Sequence, residues 1–100
     1  MNMQQMIIQA QKMQREMQKK QAALEAEEFT ISKGGAVTVV VKGDKTVQSI
    51  NIDKDALDPE NKEMIEELIA LAINEAVEQI KAAEEQISSQ VTGQSGMGLF

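Results

Sequence analysis

Between Leu68 and Ile73 every residue is apolar, and the segment around this block keeps apolar residues at helical spacing with no Gly or Pro from Glu60 to Thr92. Ile65, Leu68, Ile69, Ala72, Ala76, Ile80, Ala83, Ile87 and Val91 make one continuous face of a helix, and Met64, Leu71, Ile73 and Val77 add apolar surface beside it. Such a helix must be covered on more than one side. A chain of 100 residues has little with which to cover it, and a second copy is the least costly addition. A single domain that pairs with itself is therefore expected.

The start of this helix is written plainly. Asp58 can cap free amides, Pro59 fits the first helical position, and Glu60 and Glu63 complement the positive end of the helix dipole. Running to about Gln90, the helix would be roughly 45 Å long at 1.5 Å per residue. Asn74 follows the apolar block directly. Enclosed, it needs hydrogen-bond partners and could fix register across an interface; exposed, it is an ordinary helix residue.

A second helix is expected from Asn2 to about Glu27, where Gln, Met, Lys, Glu and Ala predominate and Gly and Pro are absent. Met3, Ala10, Met17 and Leu24 take one seam position of a heptad, and Met6 and Met13 take the other. Ile7 widens the stripe and Lys20 interrupts it. A seam built of methionine is adaptable rather than finely specified.

Between the helices lies a strand-forming block. Phe29 and Ile31 alternate, Lys33-Gly34-Gly35 turns the chain, and Ala36 to Val41 is rich in β-branched residues. Gly43 and Asp44 mark a second turn, and Thr46 to Ile52 is the next strand. Val37, Val39 and Val41 share a face, as do Ile50 and Ile52, but Val47 is out of phase. Either a bulge near Gln48 restores the phase or Val47 faces outward. The expected architecture is α+β: a long N-terminal helix, a three-stranded antiparallel meander covered on one face, and a long C-terminal helix, in the order α-β-β-β-α. The domain is placed at residues 1–91, with Thr92 to Phe100 as a flexible Gly- and Met-containing tail.

The chain has no His, Cys, Trp or Tyr. No imidazole base, thiolate or usual nucleophilic triad can be assembled, so an enzyme is not expected, nor a cofactor or small-molecule substrate. Asp53, Asp55 and Asp58 cluster before the last helix, but their spacing lacks the glycine and terminal glutamate of a calcium loop and suits capping and turns. Gly93, Gly96 and Gly98 lack the preceding strand and following helix of a phosphate loop. No signal peptide is visible, and no stretch of about 18 apolar residues is available to span a membrane. A cytoplasmic protein is expected.

Charge is unevenly placed within a net −6. From Met1 to Lys20 the chain carries Lys12, Arg15, Lys19 and Lys20 against Glu16, whereas Asp53 to Glu85 holds eleven acids against Lys54, Lys62 and Lys81. Lys12, Arg15 and Lys19 are spaced by three and four, so they line one helix face, away from the methionine seam, and Lys42 and Lys45 flank the second turn. Two such faces in a dimer would suit duplex nucleic acid, recognised through its phosphates. A charged helix face that is merely solvated is the plainer alternative. So few aromatics give poor support to base stacking on single strands.

Three segments taken together carry a resemblance: QAQKMQREMQ in the first helix, GGAVTVVVKGDKTVQSINID through the meander, and LDPENKEMIEELIALAINEA opening the last helix. The chain resembles the YbaB/EbfC family of bacterial nucleoid-associated proteins over nearly its whole length. The resemblance implies a three-stranded sheet between helices, a homodimer whose helices project like tweezers, and non-catalytic binding of double-stranded DNA at the nucleoid. It assigns Lys12, Arg15, Lys19 and Lys20 as DNA contacts, to which the turn residues Lys42 and Lys45 are added. It also places the dimer core on the apolar block, giving Ile65, Leu68, Ile69, Leu71, Ala72, Ile73 and Ala76 as the expected interface. A different reading is a prefoldin-like or structural protein that binds other proteins through its helices, which the methionine seam would suit.

Overall fold

The computed structural model describes the backbone of residues 2–96 and the side chains of residues 2–90. Helix α1 spans Met3–Ala26, and strands β1 (Glu28–Lys33), β2 (Val37–Lys42) and β3 (Val47–Ile52) follow. Two short 3-10 turns, Lys54–Ala56 and Pro59–Asn61, lead into helix α2, Lys62–Gly96. The order is the expected α-β-β-β-α. Helix α2 continues past the expected end at Gln90, so the first part of the expected tail is helical to Gly96; residues 97–100 lie outside the described residues.

The strands form an antiparallel meander in the order β1-β2-β3. Gly34 and Gly35 both have positive φ, 60° and 65°, and let the Ala36 N–H reach the Lys33 carbonyl at 3.1 Å. A side chain at either position would strain that turn. On the other side of β2, Val40 pairs with Ser49 and Val41 with Val47, so Gln48 is the extra residue of a bulge. The bulge resolves the phase of Val47, which joins Ile50 and Ile52 on the face that carries Val37, Val39 and Val41.

Helix α2 lies over this face, chiefly along β1 and β2. Ile65, Ala72, Ala76 and Ile80 are buried against Ile31, Val37, Val39 and Val41. The two alanines let the helix axis approach the valines closely. Burying each larger aliphatic side chain contributes about 1.5–3 kcal/mol. Phe29, Ile52, Ala56, Leu68, Ile69 and Ile73 pack at the margin.

Asp58 caps the 3-10 turn Pro59–Asn61, its carboxylate accepting the Glu60 N–H at 2.9 Å, so the expected helix start takes the form of one 3-10 turn and α2 itself begins at Lys62. Asp53 caps the first 3-10 turn by accepting the Asp55 N–H at 3.2 Å. These two carboxylates are thus employed in capping.

Helix α1 is capped by Asn2, whose side chain accepts the Gln5 N–H at 2.8 Å. It runs antiparallel to the distal part of α2, with Lys20, Ala23 and Leu24 facing Ala83, Gln86, Ile87 and Gln90 across a shallow groove. Its last turn is fixed by Leu24, its one buried residue, and by Gly43, which lies against the Leu24 carbonyl and donates its N–H to the Glu27 carbonyl at 2.9 Å. Every residue from Asn2 to Lys12 is exposed. The molecule is a rod, 69 × 24 × 14 Å.

Candidate nucleic-acid interface

The six expected DNA contacts fall into two unlike groups. Lys12, Arg15 and Lys19 come together on one side of α1, lining a shallow depression with Glu16 and Gln18. Among the described residues none of the three makes an ion pair. The residues of α1 before Glu16 include no acid, so the field at this end of the rod is positive in spite of the acidic total.

Of the other three, Lys20 and Lys45 are turned toward α2, whereas Lys42 lies on the sheet face away from it. Lys20 points to α2 and donates to the Gln90 side-chain carbonyl at 3.2 Å. Lys42 is half-buried and stands opposite Glu28 in the β1–β2 pair. Lys45 adopts a left-handed backbone, φ 71°, and its Nζ lies 3.4 Å from a Glu84 carboxylate oxygen on α2. A similar pair, at 2.7 Å, joins Lys33 in β1 to Glu75. The turn between β2 and β3 is held by Asp44, which accepts the Thr46 N–H at 2.9 Å. The Thr46 hydroxyl and then its backbone N–H hold the Asp44 carboxyl below the ordinary carboxylate range, with a smaller contribution from the charge of Lys42.

The expected dimer residues also divide. Ile65, Ala72 and Ala76 are already covered within one chain by the sheet, because α2 turns this stripe toward the valines. Leu68, Ile69 and Ile73 are half-buried. Leu71 is 52% exposed and Ala70 is exposed too, so the apolar block is enclosed on one side. Asn74 is exposed. Apolar surface outside the expected interface is exposed as well: Met64, which the sequence sets beside Leu71, Val47 and Ile50 on β3, and Leu57 before α2; the sequence pattern assigns Ile50 and Leu57 no such place. Val47 and Ile50 sit on the covered face of the sheet, beyond the reach of α2. Ile8 on α1 was missed as well, although its spacing already sets it off the methionine seam.

A small α-β-β-β-α protein with a predominantly cationic helix arm at one end has the surface of a polyanion-binding protein. The model of the YbaB/EbfC DNA-binding family matches residues 1–96. The chain belongs to that family. It is 48% identical to a nucleoid-associated protein of Alkaliphilus metalliredigens, over 99% of this chain and 89% of that protein. It is 44% identical to one from Clostridium novyi, over 96% of this chain and 82% of that protein. A nucleoid-associated protein of Mycoplasmopsis pulmonis is 43% identical, over 91% and 90% of the two chains. Among the described residues, no helix is long and apolar enough to cross a membrane.

Proposed function

We propose that this protein is a non-catalytic component of the bacterial nucleoid that binds duplex DNA as a homodimer, with Lys12, Arg15 and Lys19 as its principal phosphate contacts. The observation that carries this reading is the group of three cations that, among the described residues, make no ion pair, on a helix arm with Glu16 as its single acid before Glu25, in a chain whose other exposed lysines largely face carboxylates. Lys20, Lys42 and Lys45 are secondary contacts, because Lys20 and Lys45 must first leave Gln90 and Glu84, and Lys42 is half-buried in β2 opposite Glu28. Family membership supports DNA as the polyanion. The names of the relatives support the nucleoid as the location.

Pairing is supported by Val47, Ile50, Leu57, Met64 and Leu71, which leave apolar surface uncovered on one chain. A dimer presents two copies of the cationic face. Six phosphate contacts make log K fall with log salt at a slope of about −5. The test is duplex binding across a salt series, with the mass of the same sample measured in solution. K12A/R15A/K19A should flatten the slope and weaken binding to all sequences alike. A salt-independent affinity, or a monomer at all concentrations, would overturn the reading. Exposed Met3, Met6 and Ile7 favour one alternative, binding of other proteins along α1. Suppression of aggregation of an unfolded protein, without duplex binding, would favour it.

A further inference from the structure

Ile8 has no structural reason to be apolar. It is 60% exposed, packs against no core residue, and lies on the side of α1 opposite the seam of Met3, Met6, Ala10, Met13 and Met17. Its helical neighbours at +4, +7 and +11 are Lys12, Arg15 and Lys19. Around it on the same face stand Gln4 and Gln11. One aliphatic side chain thus continues the cationic stripe toward the free end of the helix, flanked by amides.

We infer that this stripe enters the major groove and that Ile8 contacts the methyl groups of thymine there. The inference rests on the proposed binding of duplex DNA through α1. Three observations favour it. The stretch from Asn2 to Lys12 is a single helix exposed on all sides, about 10–12 Å across, which matches a major groove about 12 Å wide and cannot enter a minor groove of about 6 Å. The cations lie on the body side of Ile8, where phosphates flank a groove-bound helix. The residue types suit base edges: an apolar side chain meets the thymine methyl, and glutamine can pair with the adenine edge. Phosphate contacts supply affinity and register, and Ile8 with its amide neighbours supplies a preference for A·T pairs.

The test replaces thymine by deoxyuridine in an A·T-rich duplex, which removes the methyl and leaves charge and pairing intact. The intact dimeric protein should bind the thymine duplex about fourfold more tightly for each methyl contacted, the factor for losing one buried methyl group. In I8Q that ratio should fall to one while the salt slope stays unchanged. In K12A the slope should fall while the ratio persists. Circular dichroism checks that both variants remain helical. Duplex binding with equal affinity for the two duplexes would overturn this inference alone. Absence of duplex binding would overturn it together with the reading beneath it.

Discussion

Two sets of cations in this molecule have the same chemistry and opposite circumstances. Lys33 and Lys45 project from the sheet toward α2 and meet Glu75 and Glu84. Lys12, Arg15 and Lys19 stand on α1 where, among the described residues, no carboxylate of another element reaches them. The first set answers the negative charge of α2 and ties the sheet to it. The second set is left for a partner outside the chain. What makes a lysine available is the element opposite it rather than its own exposure. Exposed pairs such as these contribute little to stability, about 0–1 kcal/mol each, so their larger effect is on the charge the surface presents.

The sharpest way to break this comparison is charge reversal. K12E/R15E/K19E should weaken duplex binding about a thousandfold at low salt, with an unchanged melting temperature. K33Q/K45Q should change binding far less, and an equal loss in fluorescence anisotropy titrations would erase the distinction between the two sets. Gly43→Ala probes the junction that separates them. Its Cβ would collide with the Leu24 carbonyl, and urea denaturation should show a loss of about 2 kcal/mol, in the range of overpacking a fitted contact. Glu84→Gln should release Lys45 and tighten duplex binding about two- to threefold, an effect that should vanish by 0.5 M salt, where the Debye length is about 4 Å. A decrease in affinity would mean that Glu84 positions Lys45 for DNA instead of competing for it.

The smallest effect concerns pH. The Asp44 carboxyl titrates lower in the folded protein than in the unfolded chain, because Thr46 donates to its charged form. Its contribution is therefore full above its unfolded value and is lost as the pH falls below about 4. Asp44→Asn should remove that part of the acid dependence of the melting temperature and leave neutral-pH binding unchanged. Because the group is exposed, the change should be small, and an acid profile identical to that of the parent would show that the turn is held by its backbone bonds alone.

Much of the fold could be read from the sequence because the local signals agree. The Asp58-Pro59 start, the paired glycines at 34 and 35 and the valine alternation in β2 each specify one structure. Even the bulge at Gln48 was written in the misplaced phase of Val47. Side-chain destinations were less legible where they depend on packing. Nothing in the spacing of Lys20 shows that it turns to Gln90, or in that of Lys45 that it meets Glu84. The apolar block from Leu68 to Ile73 reads as uniformly enclosed, yet α2 lies along β1 and β2 and leaves Leu71 outside. Ile8 falls outside the methionine heptad, and its spacing of four from Lys12 is what sets it on the cationic face.

Helix α1 is held chiefly at its last turn, where Leu24 is buried and Gly43 abuts its carbonyl. From that pivot to Met3 is roughly 30 Å of helix. A tilt of about 10° at the hinge would carry the far end roughly 5 Å, at the 1.5 Å rise per residue of such a lever. An arm with that leverage can follow a bent or overwound duplex without rearranging the domain that bears it. Tolerance of curvature would then be a property of one glycine and one leucine, far from any phosphate.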